Sequence, residues 1–125
     1  MTPAQCMFDS IRHRLPGMDS DGFSGQMTID GWQFNPVENM GIICGAVMVK
    51  DNEVHIGVSP KYQGKVWLRG LIRKELAKLF DQHEEVVTYI SETHEVGHRL
   101  ADMIGFEKIG MTDRGVKYRC IKVKI

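Results

Sequence analysis

The stretch Asn52-Glu53-Val54-His55-Ile56-Gly57-Val58-Ser59-Pro60-Lys61-Tyr62-Gln63-Gly64-Lys65 decides the fold. Its first half alternates as a strand over Glu53 to Val58, with Val54, Ile56 and Val58 on one face and Glu53, His55 and Gly57 on the other. Its second half is a turn that feeds an amphipathic helix, whose apolar stripe is Leu68, Leu71, Ile72, Leu76, Leu79 and Phe80. A strand that turns directly into a helix leaves backbone N–H groups free at the positive end of the helix dipole, which makes an anion site. Arg69, Arg73, Lys74 and Lys78 fall outside the stripe and read as a solvated basic face.

Outward from this stretch the pattern continues on both sides. Upstream, Met40 to Val49 is an apolar, β-rich strand joined to it by a hairpin at Lys50-Asp51-Asn52. Downstream, Val86 to Ile90 is a short buried strand, and Ser91 or Thr93 caps a second helix that closes at Gly105. Phe106 to Met111 and Val116 to Ile125 form a last hairpin around Thr112-Asp113-Arg114-Gly115. At the front, Thr2 and Pro3 open a helix carrying Met7, Ile11 and Leu15 until Pro16-Gly17. Met18 to Gly25, rich in Asp, Ser and Gly, reads as a loop, and Met27 to Phe34 as a strand broken by Asp30-Gly31. This order predicts an α/β (α+β) architecture in one domain over residues 1–125. Its sheet is mixed, mostly antiparallel and flanked by helices.

Composition bounds the function. Sixteen basic residues balance sixteen acidic ones, which argues against a nucleic-acid binder held by phosphate contacts. No apolar run is long enough for a membrane helix, and no signal pattern opens the chain. Three unclustered cysteines, Cys6, Cys44 and Cys120, read as reduced side chains in a cytoplasmic setting. Trp32 and Trp67 read as core or cleft-rim residues.

Val54 to Lys65 resembles the strand and phosphate loop of GNAT-type N-acetyltransferases, written apolar-x-V-x-P-x-Y-R/Q-G-K. Ile104-Gly105-Phe106-Glu107-Lys108-Ile109-Gly110 is similar to that family's L-G-F-x-x-x-G block at the end of its last helix. The likeness covers the last two-thirds of the chain, and the short front implies a sheet without the fold's first strand. It implies acetyl-CoA as co-substrate, with the pantetheine arm between the strands around Val58 and Ile90. Cofactor contacts would come from Val58, Gln63, Gly64, Lys65, Val66, Trp67, Leu68 and His94, the N–H groups of Gln63 to Leu68 facing the pyrophosphate. Glu53 or His55 would deprotonate an amine acceptor, either a small molecule or a protein. The chain departs from the pattern in having Val66 and Leu68 at loop glycines, Ala101 at the acidic tyrosine and His94 at an asparagine. In its short front and altered loop it is similar to GNAT-like bacteriophage proteins, some carried in virions. That likeness offers a catalytically silent alternative that binds a viral or host protein.

His94-Glu95-Val96-Gly97-His98 spells H-E-x-x-H, the spacing with which two histidines one helical turn apart hold zinc beside a glutamate. It offers a third alternative, a small metallopeptidase. The extended motif would place its third histidine at Ile104, and no histidine follows His98, so a metal is not favoured.

Overall fold

The computed structural model describes residues 2–11 and 17–122. Leu15 and Pro16, read above as the end of the first helix, and residues 123–125, read as the end of the last strand, lie outside them. Helix α1 (Pro3–Ile11) starts as its sequence demands. The Gln5 N–H donates to Thr2 Oγ1 at 3.1 Å while the Thr2 N–H donates to Gln5 Oε1 at 2.7 Å, a reciprocal cap ahead of Pro3.

The next segment corrects the expected loop over Met18–Gly25. It belongs to a helix, α2 (Ser20–Ile29), whose N-cap Asp19 accepts the Gly22 N–H at 2.7 Å. Gly22 and Gly25 make this helix intrinsically poor. Tertiary packing overrides that weakness: Phe23 is 2% exposed, with ring centroids 5.8 Å from Phe8 and 6.0 Å from Phe34. The expected strand over Met27–Phe34 is likewise displaced. After a turn at Gly31 (φ +92°), strand β1 runs Gln33–Asn39.

Met40 and Gly41, both at positive φ, turn the chain into β2 (Ile42–Lys50). A second tight turn, with Asp51 at φ +53°, leads to β3 (Glu53–Val58). Helix α3 (Leu68–Ala77) begins three residues after Lys65 and runs on as a 3-10 turn over Lys78–Asp81. It crosses to β4 (Val86–Ile90). Helix α4 (Glu95–Ile104) follows, then β5 (Glu107–Thr112) and β6 (Gly115–Cys120). The expected caps Ser91 and Thr93 do not cap α4. Their hydroxyls lie 3.4 Å from each other, and His94 holds the N-cap position without a side-chain capping bond. Gly105, at φ +120°, ends the helix as expected.

The six strands form one sheet in the order β1-β2-β3-β4-β6-β5, in which the β3–β4 pair alone is parallel. That parallel pair is the outcome of the β3-α3-β4 crossover, since two parallel strands need a long connection between them. Helices α3 and α4 cover one face, burying Val54, Ile72, Leu76, Val86 and Ile104. Helices α1 and α2 cover the other face, on Ala46 and Met48. Each such Val, Leu, Ile or Met side chain contributes about 1.5–3 kcal/mol by leaving water. Arg73 leaves the expected solvated face of α3. Its Nη2 donates to the Met103 carbonyl at 3.0 Å, tying α3 to the end of α4.

Candidate active site

Strands β3 and β4 meet at one register pair, Glu53 with Val87, fixed by the Val87 N–H donating to the Asn52 carbonyl at 2.8 Å. Past that pair they splay. A cleft opens through the sheet between His55 and Ile56 on one side and Tyr89 and Ile90 on the other, with His94 and Leu100 of the α4 segment along its wall. Alternation decides which peptide groups enter it. The Ser59 N–H bonds Cys44 of the β2 side, so the peptides of Ile56 and Val58 point the opposite way, into the gap. The Val58 carbonyl accepts from Gln63 Nε2 at 3.3 Å.

The loop after β3 is built from short turns. Pro60–Tyr62 forms a 3-10 turn, and Gly64 sits at φ +81°, where a side chain would strain the backbone. The amides of Lys65, Leu68 and Arg69 bond inward, to the carbonyls of Tyr62, Lys65 and Val66. The even cradle expected from Gln63 to Leu68 is thereby reduced. Among the described residues, the amides left without a backbone acceptor in this loop are those of Gln63, Gly64, Val66 and Trp67. Leu68 does not face the loop's outer side, because its side chain is sunk in the core at 4% exposure. Val66 and Trp67 are exposed, Trp67 held edge-on to Tyr62 at 6.2 Å between ring centroids. Lys65 is exposed, as a side chain meeting an anion needs to be.

Glu53 and His55, expected together on one face of β3, are hydrogen-bonded: His55 Nε2 lies 2.7 Å from Glu53 Oε2. The same carboxylate takes a two-pronged bond from Arg114 in the β5–β6 turn, with Nη1 at 2.9 Å from Oε1 and Nη2 at 2.6 Å from Oε2. Partial burial pushes the Glu53 carboxyl up, but the bonds and charges of Arg114 and His55 outweigh this and hold it below the ordinary glutamate value. Glu53 is therefore a fixed anion and a poor proton acceptor. The face they share is covered: α1 packs on β3, and the Trp32 ring stands edge-on to His55 at 5.5 Å.

Solved structures share this fold. PH1933 from Pyrococcus horikoshii aligns over 96% of this chain and 88% of its own, with a TM-score of 0.74 and 16% identity. A spermidine N-acetyltransferase SpeG chimera from Vibrio cholerae aligns over 94% and 87%, with a TM-score of 0.66 and 16% identity. The PaiA N-acetyltransferase from Thermoplasma acidophilum, in complex with coenzyme A, aligns over 94% and 89%, at 0.66 and 10%. The chain has the GNAT N-acetyltransferase fold. No protein-family model matches this GNAT-fold chain, and no curated protein matches it in sequence.

The fold also disposes of the H-E-x-x-H motif. His98 Nε2 lies 2.9 Å from the Ser91 carbonyl, which can only accept, so this nitrogen carries the proton. Nδ1 then accepts the Tyr118 hydroxyl at 2.7 Å. Both ring nitrogens are engaged, and no lone pair remains for zinc. His94 is at the N-cap, its ring lying so close over Gly97 that a Cβ there would sit 2.5 Å from His94 Cδ2. Among the described residues no group of three or more His, Cys, Asp or Glu could hold a metal ion. No helix among them is long and apolar enough to cross a membrane.

Arg114 and Tyr89 went unnoticed in the sequence. Arg114 stands 61 positions from Glu53, and its guanidinium lies 4.2 Å from the Tyr89 ring centroid. No local pattern marks either residue. The one available signal was the loop register, which places Arg114 in a tight turn of the last hairpin.

Proposed function

We propose that this GNAT-fold chain transfers an acetyl group from acetyl-CoA to a small-molecule or protein amine, in a cytoplasmic setting. The observation that carries the proposal is the splay of β3 from β4 beyond the single pair Glu53–Val87, with His55 at its edge. The spermidine N-acetyltransferase chimera and the coenzyme A complex of PaiA share the fold and support the reading.

The residues fit the co-substrate in two places. The peptides of Ile56 and Val58 offer strand-like hydrogen bonds to an amide-bearing arm. The unmatched amides of Gln63, Gly64, Val66 and Trp67 suit a pyrophosphate, with Lys65 adding charge. When bound, acetyl-CoA supplies a thioester carbonyl open to attack by an amine, its C–S bond breaking as the C–N bond forms and the thiolate leaving with the proton that the new amide sheds. His55 takes the proton from the incoming ammonium, because the free amine alone is a nucleophile. Glu53, already clamped, stabilises the imidazolium that results. The apolar wall of Ile56, Ile90 and Leu100 keeps water from the reacting carbon. The test is amine-dependent release of CoA thiol across a panel of polyamines and peptide amines. Turnover that falls about 10²–10⁴-fold in His55→Ala is expected; no release with any amine would overturn the proposal.

A second reading rests on the loop. Val66 is 71% exposed and Trp67 43%, an apolar edge that suits a protein partner. In that case the chain is a catalytically silent module, such as a phage virion or host-interaction protein, and it releases no CoA from acetyl-CoA.

A further inference from the structure

We propose that Arg114 is a positioning residue for the amine-side base. Braced on the Tyr89 ring, its guanidinium clamps Glu53, and Glu53 in turn holds His55 with Nε2 protonated and Nδ1 left for the cleft. This rests on the acetyltransferase reading for its use in turnover, though not for its geometry. A bidentate guanidinium fixes the plane of a carboxylate, which a single point charge does not. Here both carboxylate oxygens are engaged by Arg114, at 2.9 and 2.6 Å, and the more crowded of them also meets His55 at 2.7 Å.

Because a carboxylate only accepts, the shared hydrogen belongs to His55 Nε2. In the neutral ring the lone pair is then on Nδ1, and the ring lines the cleft. During transfer a proton leaves the substrate ammonium for Nδ1, giving an imidazolium whose Nε2–H is already bonded to Glu53. Held at both oxygens by Arg114, the carboxylate keeps the plane in which it orients His55. The turn residue Arg114 thus couples the β5–β6 hairpin to a base on β3, across β4.

Among the described residues, the charged and titratable groups around His55 come from several elements. On its own strand this is Glu53, and from the β5–β6 turn Arg114 with Asp113. Strand β4 contributes Tyr89, and His94 stands on the cleft wall. Lys50 of β2 lies over Trp32, at 6.0 Å from its centroid, and α1, packed on β3, carries Cys6 and Asp9.

The experiment is nitrogen-resolved NMR of the neutral His55 ring in wild type, Glu53→Gln, Arg114→Gln and Arg114→Lys, each first shown folded by its amide spectrum. Wild type shows the Nε2–H tautomer. Glu53→Gln removes the acceptor that fixes it, and Arg114→Gln frees the carboxylate to turn, so both give mixed Nε2–H and Nδ1–H signals. Arg114→Lys keeps the charge and loses the fork, so its tautomer purity declines as well. Tautomer purity unchanged in both Arg114 variants, or an Nδ1–H tautomer in wild type, overturns the proposal. In turnover, Glu53→Gln loses about 10²-fold in kcat with KM for acetyl-CoA unchanged. If wild type acetylates no amine, the function reading fails, while the NMR arms still decide the clamp.

Discussion

Gly45→Ala tests how tightly the floor of the cleft is built. Gly45 pairs with Val58 across β2 and β3, beside a bulge: Val37 pairs with Gly45 and Glu38 with Ile43, so Cys44 is the extra residue. The β2 and β3 backbones approach closely here, and a Cβ at Gly45 would meet the Gly57 carbonyl oxygen at 2.6 Å and Val58 Cα at 3.4 Å. The oxygen is backbone and cannot swing away. Relief to an ordinary contact needs about 0.8 Å of strand separation, against a normal spacing of about 4.8 Å. That stretches the neighbouring bond from the Ser59 N–H to the Cys44 carbonyl, now 2.9 Å, towards breaking. Overpacking of this kind costs about 1–3 kcal/mol, and one weakened ladder bond about 1 kcal/mol more. We expect a loss near 3 kcal/mol and a Tm lower by about 9–15 °C, read by chemical and thermal denaturation. Acetyl-CoA should bind about tenfold more weakly, because the Val58 peptide moves with the strand. A variant within about 0.5 kcal/mol of wild type would refute the close approach.

The remaining predictions use the same structure. Gly70→Ala, in α3 with nothing within 4 Å of the new Cβ, should stabilise by about 0.5–1 kcal/mol in urea denaturation. His98→Ala strips the nearly buried Tyr118 hydroxyl of its partner and should cost about 2–3 kcal/mol. Replacing both residues, as His98→Leu with Tyr118→Phe, should recover part of that loss, and stoichiometric zinc should leave the wild-type Tm unchanged. Glu53 has a depressed folded pKa, so its contribution to stability is fully present above the ordinary value of 4.5 and is lost as pH falls through the lower folded value. Stability against pH should therefore fall more steeply below 4.5 in wild type than in Glu53→Gln, measured by urea denaturation across that range.

What the sequence showed of the fold was its strongly periodic part. Val54, Ile56 and Val58 alternate without interruption, and Val86 to Ile90 is a compact apolar run, so β3 and β4 stand where their patterns put them. Helix α2 was hidden because Gly22 and Gly25 lower its propensity, and what holds it is Phe23 meeting residues from two other elements. Strand β1 was hidden because Pro36 argues against a strand, yet β1 is at the sheet edge, where a missing N–H costs little. For the site, Glu53 and His55 were visible as neighbours on one strand face. Their clamp was not, since Arg114 reaches Glu53 only after the sheet has formed. The H-E-x-x-H spacing misled for a related reason: spacing fixes where His98 points along a helix, while Ser91 and Tyr118 decide what its nitrogens do.

Binding of acetyl-CoA by the β3–β4 cleft and its following loop underlies the proposed activity. Calorimetric titration of acetyl-CoA into the wild-type protein, beside Lys65→Glu, measures it. Saturable one-to-one binding is expected, abolished or weakened by at least tenfold by the charge reversal at Lys65. No heat of binding at millimolar acetyl-CoA, or binding indifferent to Lys65→Glu, would contradict it.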